Sequence, residues 1–153
     1  MHVPYGLQQW DKQFIGLCDV AYPWIARFSI FVIYFWFGLL KFLGLSPAEK
    51  LVEGLAQKVV PFLPFEQFYI FFACYEMFIG LLFLIPRASR LVVILLVFHL
   101  IAIFLPLVFM RDIAWVSFLV PTLEGQYIIK NLLIVATAIG VSARVRPWAR
   151  VRP

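Results

Sequence analysis

The sequence predicts an all-α membrane protein, a polytopic four-helix transmembrane bundle in a single domain. Of its 153 residues, 64% are hydrophobic and only 14% are charged, and the mean hydropathy is +0.96. A soluble domain is typically about half apolar and a quarter charged, so an aqueous core cannot hide this many apolar side chains. Four segments are also long enough to cross a bilayer, which takes about 20 mostly apolar residues.

The four predicted spans are residues 24–44, 66–86, 88–110 and 125–143. Residues 1–22 precede the first span and are predicted to be a cytoplasmic interfacial segment. Within it, Leu7, Trp10, Phe14 and Leu17 recur at helical spacing, opposite glutamine and charged residues. Such a pattern is typical of an amphipathic helix that lies in the membrane–water interface.

A short amphipathic helix is also predicted between spans one and two. Ser46 stands at the position of an N-cap, Pro47 at the first helical position, and Glu49 three residues after the cap. Apolar residues then recur with helical periodicity as far as Val59, and Pro61 ends the pattern. We expect this helix to lie in the outer interface as a connector, or alternatively to form a lid over a pocket.

Positive charge predicts the orientation of the spans. Arg87 and Arg90 lie in the tight turn between spans two and three, and residues 144–153 form a basic tail within a net charge of +5. Cytoplasmic loops carry an excess of Lys and Arg, so both termini are predicted to be cytoplasmic. A basic tail beside a span typically sets topology and contacts anionic lipid, so the expected partner is the lipid bilayer rather than nucleic acid.

Four ionisable side chains interrupt the apolar spans, namely Lys41, Glu76, His99 and Lys130. A charge near the bilayer centre costs about 2.5–3.5 kcal/mol on insertion scales. At about 1.5 Å per residue, Glu76 and His99 are predicted near mid-bilayer, and Lys41 and Lys130 in the outer half. We therefore expect these groups to pair with one another or to contact something other than lipid.

The fourth span adds a polar stripe to this group. Gln126, Tyr127, Lys130 and Asn131 share one helix face, which is expected to look inward because lipid offers no partners. Thr122 is the predicted N-cap of this span. The candidate ligand-binding residues are Lys41, Glu76, His99, Glu124, Gln126, Tyr127, Lys130 and Asn131.

Two interpretations of this constellation remain open at this point. One is a structural ion pair that stitches the bundle, joining Glu76 to Lys41 or Lys130 with help from His99 and Asn131. The other is a ligand-binding or proton-handling pocket that opens to the outer face. No metal site or haem ligand set is predicted, because no Cys or carboxylate stands at ligand spacing from His99. No nucleotide-binding motif is predicted either, because the sequence shows no glycine pattern of that kind.

Several strings resemble the DoxX-like family of small bacterial membrane proteins, over roughly residues 24–143. They are Tyr34–Lys41 and Gly44–Ala48, Glu76 with Gly80, and the fairly specific string Thr122–Asn131. The resemblance implies a four-helix bundle in the bacterial inner membrane. It also implies a link to redox or stress-resistance systems, because the family name comes from a subunit associated with a thiosulfate:quinone oxidoreductase.

The leading functional hypothesis is a polar pocket that binds a small amphipathic molecule, a quinone or a lipid. In the same hypothesis the polar residues alternatively contact a redox partner protein, with the chain as an accessory subunit that is not catalytic alone. One alternative is a subunit that passes electrons to quinone, with the cofactor carried by a partner. Another alternative is transport of a proton or small solute, which would need a homo-oligomer because four helices leave little room for a path.

Overall fold

The computed structural model describes residues 4–145, and its architecture is helical throughout, apart from one short hairpin. Of the predicted basic tail 144–153, only Arg144 and Val145 fall within this range; the rest of the tail and residues 1–3 lie outside the described residues. The helices are α1 (Tyr5–Phe42), α2 (Glu49–Val59), α3 (Phe65–Phe83), α4 (Ser89–Phe104), α5 (Pro106–Phe109), α6 (Arg111–Ala114), α7 (Leu123–Ile129) and α8 (Leu132–Ala143). A 3₁₀ turn, Pro86–Ala88, joins α3 to α4, and the paired strands β1 (Trp115–Ser117) and β2 (Val120–Pro121) lie between α6 and α7.

Four helical segments are long and apolar enough to cross a membrane, as the composition predicts. They are Tyr5–Phe42, Phe65–Phe83, Pro86–Phe109 and Leu123–Ala143. α1 packs against α3 and α8, and α4 packs against the same two helices. All four segments contribute to one apolar core, which includes Ile30, Ile79, Leu96 and Ala138. The all-α class is confirmed.

α1 and α3 approach each other closely at two glycines. A Cβ atom at Gly38 would lie 2.9 Å from the carbonyl oxygen of Ala73, and one at Gly80 would lie 2.8 Å from the backbone nitrogen of Phe35. Small residues allow such backbone-to-backbone contact between helices. The side chains on the facing surfaces of α1 and α3 are therefore brought within hydrogen-bonding reach.

The third and fourth predicted spans are each broken into two helices, where the sequence predicts single helices. Pro106 has no backbone N–H and begins α5 two residues after α4 ends, which is the expected effect of proline. The break in the fourth span lies at Lys130 and Asn131, between α7 and α8. There the Leu133 N–H donates to the Lys130 carbonyl oxygen at 3.0 Å, in the tighter i→i−3 pattern.

The two amphipathic helices of the sequence analysis are both present. The predicted connector is α2. It contacts α3 and α5, and Lys58 Nζ donates to the carbonyl oxygen of Phe109 in α5 at 3.1 Å. The predicted interfacial segment is continuous with the first span, so that both form the single helix α1. Pro23 lies inside this helix and does not end it.

The loop before the fourth span folds back on itself and positions α7. The Thr122 hydroxyl accepts a hydrogen bond from the Gly125 N–H at 3.1 Å and donates to the Ile113 carbonyl oxygen at 2.6 Å. Thr122 is thus the N-cap of α7, as predicted. A side chain at Gly125 would collide with the Ala114 carbonyl oxygen, so only glycine allows this contact.

Candidate functional site

Lys41 and Glu76 form an ion pair between α1 and α3. The distance from Lys41 Nζ to Glu76 Oε2 is 2.6 Å, and each side chain is only 8% exposed. Gly38 lies one helical turn before Lys41 and sets the close approach of the two helices at this level. A buried carboxylate next to a buried ammonium is charge-neutral as a pair, which is how ionised groups persist in an apolar interior.

His99 of α4 joins the pair and extends it to a third helix. His99 Nε2 lies 3.1 Å from Glu76 Oε1, and His99 Nδ1 lies 3.2 Å from the Tyr34 hydroxyl. A neutral imidazole satisfies both contacts when Tyr34 donates to Nδ1 and the Nε2–H donates to Glu76. The network thus joins α1, α3 and α4 through one ion pair and two contacts of the His99 ring.

Aromatic rings enclose this polar network, defined here as Tyr34, Lys41, Glu76 and His99. The ring of Phe72 stacks on His99 with centroids 5.0 Å apart, and Tyr75 lies 5.9 Å from it. Lys41 Nζ lies 5.7 Å from the centroid of Phe72, within the range of a cation–π contact. Such rings keep the local dielectric low, so the contact between Lys41 and Glu76 is strong.

Three of the eight predicted site residues meet in the network, and the other five do not. Glu124, Gln126, Tyr127 and Lys130 are exposed, and Asn131 is half-buried. The expected inward face of span four is therefore wrong. Lys130 instead places Nζ 4.0 Å over the ring of Tyr127.

The physical reason for this correction is the packing of α7. Its buried residues are Gly125 and Ile128, and Gly125 seats the helix against Ala114. With this face fixed on the preceding loop, the polar residues turn outward. The break after Ile129 then separates α7 from the apolar face of α8, which buries Ile134, Ala138 and Val141.

A second polar cluster lies near the middle of α1, two helical turns before Tyr34, and the sequence did not predict it as a buried site. Arg27 is 6% exposed; its Nη1 donates to the Phe83 carbonyl oxygen at 3.0 Å and its Nη2 to Ser89 Oγ at 2.7 Å. The cluster ties α1 to the turn between α3 and α4. One signal was present in the sequence, because Arg27, Tyr34 and Lys41 recur every seven residues and so share one helix face.

Comparison of the chain with protein-family models, curated proteins and solved structures found no match in any of the three. The resemblance to the DoxX-like family therefore stays a prediction. Among the residues that the structure describes, no three His, Cys, Asp or Glu side chains come together to hold a metal ion.

Proposed function

We propose that this chain is a multi-pass integral membrane protein whose polar network binds the oxygen-bearing head of a small amphipathic molecule. The outer faces of the four long helical segments support the membrane part of the proposal. Large apolar side chains stand exposed on each, such as Phe28 at 61%, Phe71 at 67%, Phe98 at 65% and Leu133 at 72%. Extended apolar surface of this kind is typical of contact with lipid or protein rather than water.

The arrangement of arginines supports cytoplasmic termini. Arg27 contacts Ser89 at the start of α4, between Arg87 of the 3₁₀ turn and Arg90 of α4. Arg144 pairs with Asp19 of α1 at 2.6 Å. These arginines thus lie at one end of the bundle. The positive-inside rule assigns that end to the cytoplasm, and the resemblance to a bacterial family assigns the membrane to the bacterial inner membrane.

The observation that carries the ligand proposal is the buried ion pair of Lys41 and Glu76. Polar contacts between membrane helices are worth only about 0.6 kcal/mol on average in one well-studied system. A single charge at the helix centre costs about 2.5–3.5 kcal/mol. The free energy that such contacts contribute is thus smaller than the cost of placing the charges there. This comparison favours a role for the network other than holding the three helices together.

Lys41 is the group best suited to contact a ligand. An ammonium has three N–H donors, and among the described residues Lys41 donates to Glu76 alone. The remaining donors suit a quinone carbonyl or a lipid headgroup oxygen. Glu76 is the counterion of this ammonium, and His99 links Glu76 to Tyr34 on α1.

Ligand-dependent stabilisation tests this proposal on the purified protein in micelles. We expect decylubiquinone to raise the unfolding temperature of the wild type and of Lys130→Met, whose side chain lies outside the network. The Lys41→Met variant should show no such rise. If phosphatidylglycerol raises the unfolding temperature and the quinone does not, the ligand of the polar network is a lipid headgroup. An equal rise in Lys41→Met, or none in the wild type with either probe, would refute the proposal.

The resemblance to the DoxX-like family implies that the chain works with a redox system. In that setting the chain is an accessory subunit that presents quinone to a partner protein, and the cofactor belongs to the partner. Co-purification from the native membrane tests this setting. A partner with flavin or haem absorbance is expected, and purification of the chain alone under mild detergent would argue against it.

A second function, proton transfer, is favoured by the continuity of the network. Hydrogen bonds run without a gap from Tyr34 through His99 and Glu76 to Lys41. Proton flux into vesicles that report internal pH should exceed that of empty vesicles and fall in Glu76→Gln; flux equal to empty vesicles would exclude this function.

A further inference from the structure

The first half of α1 extends beyond the bundle. Every residue from Pro4 to Val20 is exposed, and the first buried residue of the helix is Ala26. With 38 residues, α1 is about 57 Å long at 1.5 Å per residue. The hydrocarbon core of a bilayer is about 30 Å thick, so residues 5–20 leave it if the helix continues straight.

This extension carries one apolar stripe, formed by Leu7, Trp10, Phe14 and Leu17. These side chains are spaced three and four residues apart and are 60–74% exposed. The same spacing continues along α1 to Phe28, which is exposed on the outer face of the first span. Residues three and four apart lie on the same face of a helix, because each residue turns the helix by about 100°. The stripe therefore lies on the same face of α1 as the surface that the first span is proposed to present to lipid.

Pro23 lies on the opposite side of the helix from this stripe. It shares a face with Arg27, Ile30 and Tyr34, which are buried against the bundle. Proline lacks the N–H that would bond to the carbonyl oxygen of Asp19, and its ring crowds that carbonyl. A helix opens on the side that holds the proline, so a bend at Pro23 carries the extension toward its apolar stripe and away from the bundle.

Arg144, at the end of α8, occupies the position where this bend would be anchored. Its Nη1 donates to the Asp19 carbonyl oxygen at 3.4 Å, the same carbonyl that Pro23 leaves without a helical partner. Its Nη2 donates to Asp19 Oδ1 at 2.6 Å, and the guanidinium lies 4.6 Å over the ring of Tyr22. Arg144 thus holds α1 against the bundle at Asp19 and Tyr22, just before Pro23. Asp19 lies on the face of α1 opposite the apolar stripe.

We propose that α1 is hinged at Pro23 and that residues 5–20 lie along the lipid leaflet from which the helix emerges. In this arrangement Leu7, Trp10, Phe14 and Leu17 enter the lipid, and Lys12, on the opposite face, points to water. In the span, this face of α1 points away from the bundle and toward lipid. After the helix leaves the bilayer and bends away from the bundle, the same face points down onto the membrane surface. The proposal rests on the proposed membrane insertion, and its occupant is the leaflet itself rather than a second protein.

Spin labels on the full-length protein test the position of the extension. Cys18 and Cys74 are free and exposed, so both are first replaced by serine. Single cysteines are then introduced as Phe14→Cys, Lys12→Cys and, as a reference within the span, Phe28→Cys. In vesicles of phosphatidylcholine and phosphatidylglycerol, labels at positions 14 and 28 should be several-fold more accessible to oxygen than to a water-soluble nickel complex. The label at position 12 should show the reverse.

The hinge is tested by Pro23→Ala, which restores the N–H to Asp19 and straightens the helix. We expect this change to move the label at position 14 from lipid to water without altering the label at position 28. An unchanged lipid signal at position 14 would overturn the hinge.

The other outcomes are distinguishable. A label at position 14 that reports water in the parent protein, with position 28 in lipid, would overturn the docking proposal alone. Water at both positions would instead refute membrane insertion. A label at position 14 that is shielded from both reagents and broadened by a neighbouring label would show that a second copy of the chain covers the stripe.

Discussion

Removing the carboxylate of Glu76 is the change that most strongly perturbs the polar network. The Lys41 ammonium lies 2.6 Å from Glu76 Oε2 and both side chains are 8% exposed, so Glu76→Gln leaves a buried positive charge without its counterion. Breaking such a buried pair costs about 3–5 kcal/mol of stability. The amide oxygen of glutamine can still accept from His99, so the loss reports the contact with Lys41.

Substituting Lys41 as well separates the loss of the ion pair from other effects of the Glu76 substitution on stability. Lys41→Met removes the partner charge, and by the same reasoning it alone should also cost about 3–5 kcal/mol. The double variant contains neither charge, and replacing a buried ion pair by uncharged groups is often close to neutral. We therefore expect the double variant to be more stable than either single variant.

Denaturant unfolding of the full chain in detergent micelles, followed by Trp fluorescence, measures this cycle. Glu124→Gln and Lys130→Met are matched controls, because both side chains are exposed. Each control should change stability by no more than about 1 kcal/mol, the scale of an exposed cation–π contact. The contrary result is that Glu76→Gln and Lys41→Met each lower the free energy of unfolding by less than about 1 kcal/mol, with additive effects in the double variant. That result would show that the pair is not buried and would refute the reasoning.

Three further variants probe the packing around the site, with the same unfolding measurement. Gly80→Ala should cost about 1–3 kcal/mol by pushing α1 from α3, whereas Gly16→Ala, which meets nothing within 4 Å, should not destabilise; equal effects would contradict the close crossing. Thr122→Ala should cost about 1 kcal/mol through loss of the N-cap and Thr122→Ser little, so equal losses would argue against the cap. Arg27→Met should destabilise more than Ser89→Ala, because it removes both hydrogen bonds that join α1 to the α3–α4 turn; the opposite order would contradict this account.

The central part of the polar network could be predicted from the sequence because the position of a residue along a predicted span gives its expected depth in the bilayer. Glu76 and His99 were expected at mid-bilayer, and the structure places them 3.1 Å apart. Lys41 was one of two cations considered for Glu76, and the close crossing at Gly38 is what selects it over Lys130. Tyr34 shares the face of Lys41, but its contact with His99 depends on the rotation of α4, which periodicity in a uniformly apolar helix does not reveal.

The fourth span shows where sequence reasoning fails. The stripe of polar residues on α7 was expected to face inward, on the argument that lipid offers no partners. The structure instead seats Gly125 on Ala114, and this single tertiary contact rotates the stripe outward. Lys130 then rests on Tyr127 and points back toward the start of the helix, as long helical side chains do. Neither contact has a signature in the periodicity of the sequence.

The infrared spectrum of a bound quinone tests the central claim most directly, namely that Lys41 presents its N–H groups to an oxygen-bearing head within the polar network. Decylubiquinone labelled with ¹³C at its carbonyls can be followed in difference spectra of the full-length protein in vesicles. We predict that a carbonyl band shifts to lower frequency with the wild type and with Lys130→Met, and that the shift is lost with Lys41→Met. A carbonyl frequency that is the same with the wild type and with Lys41→Met would contradict the account.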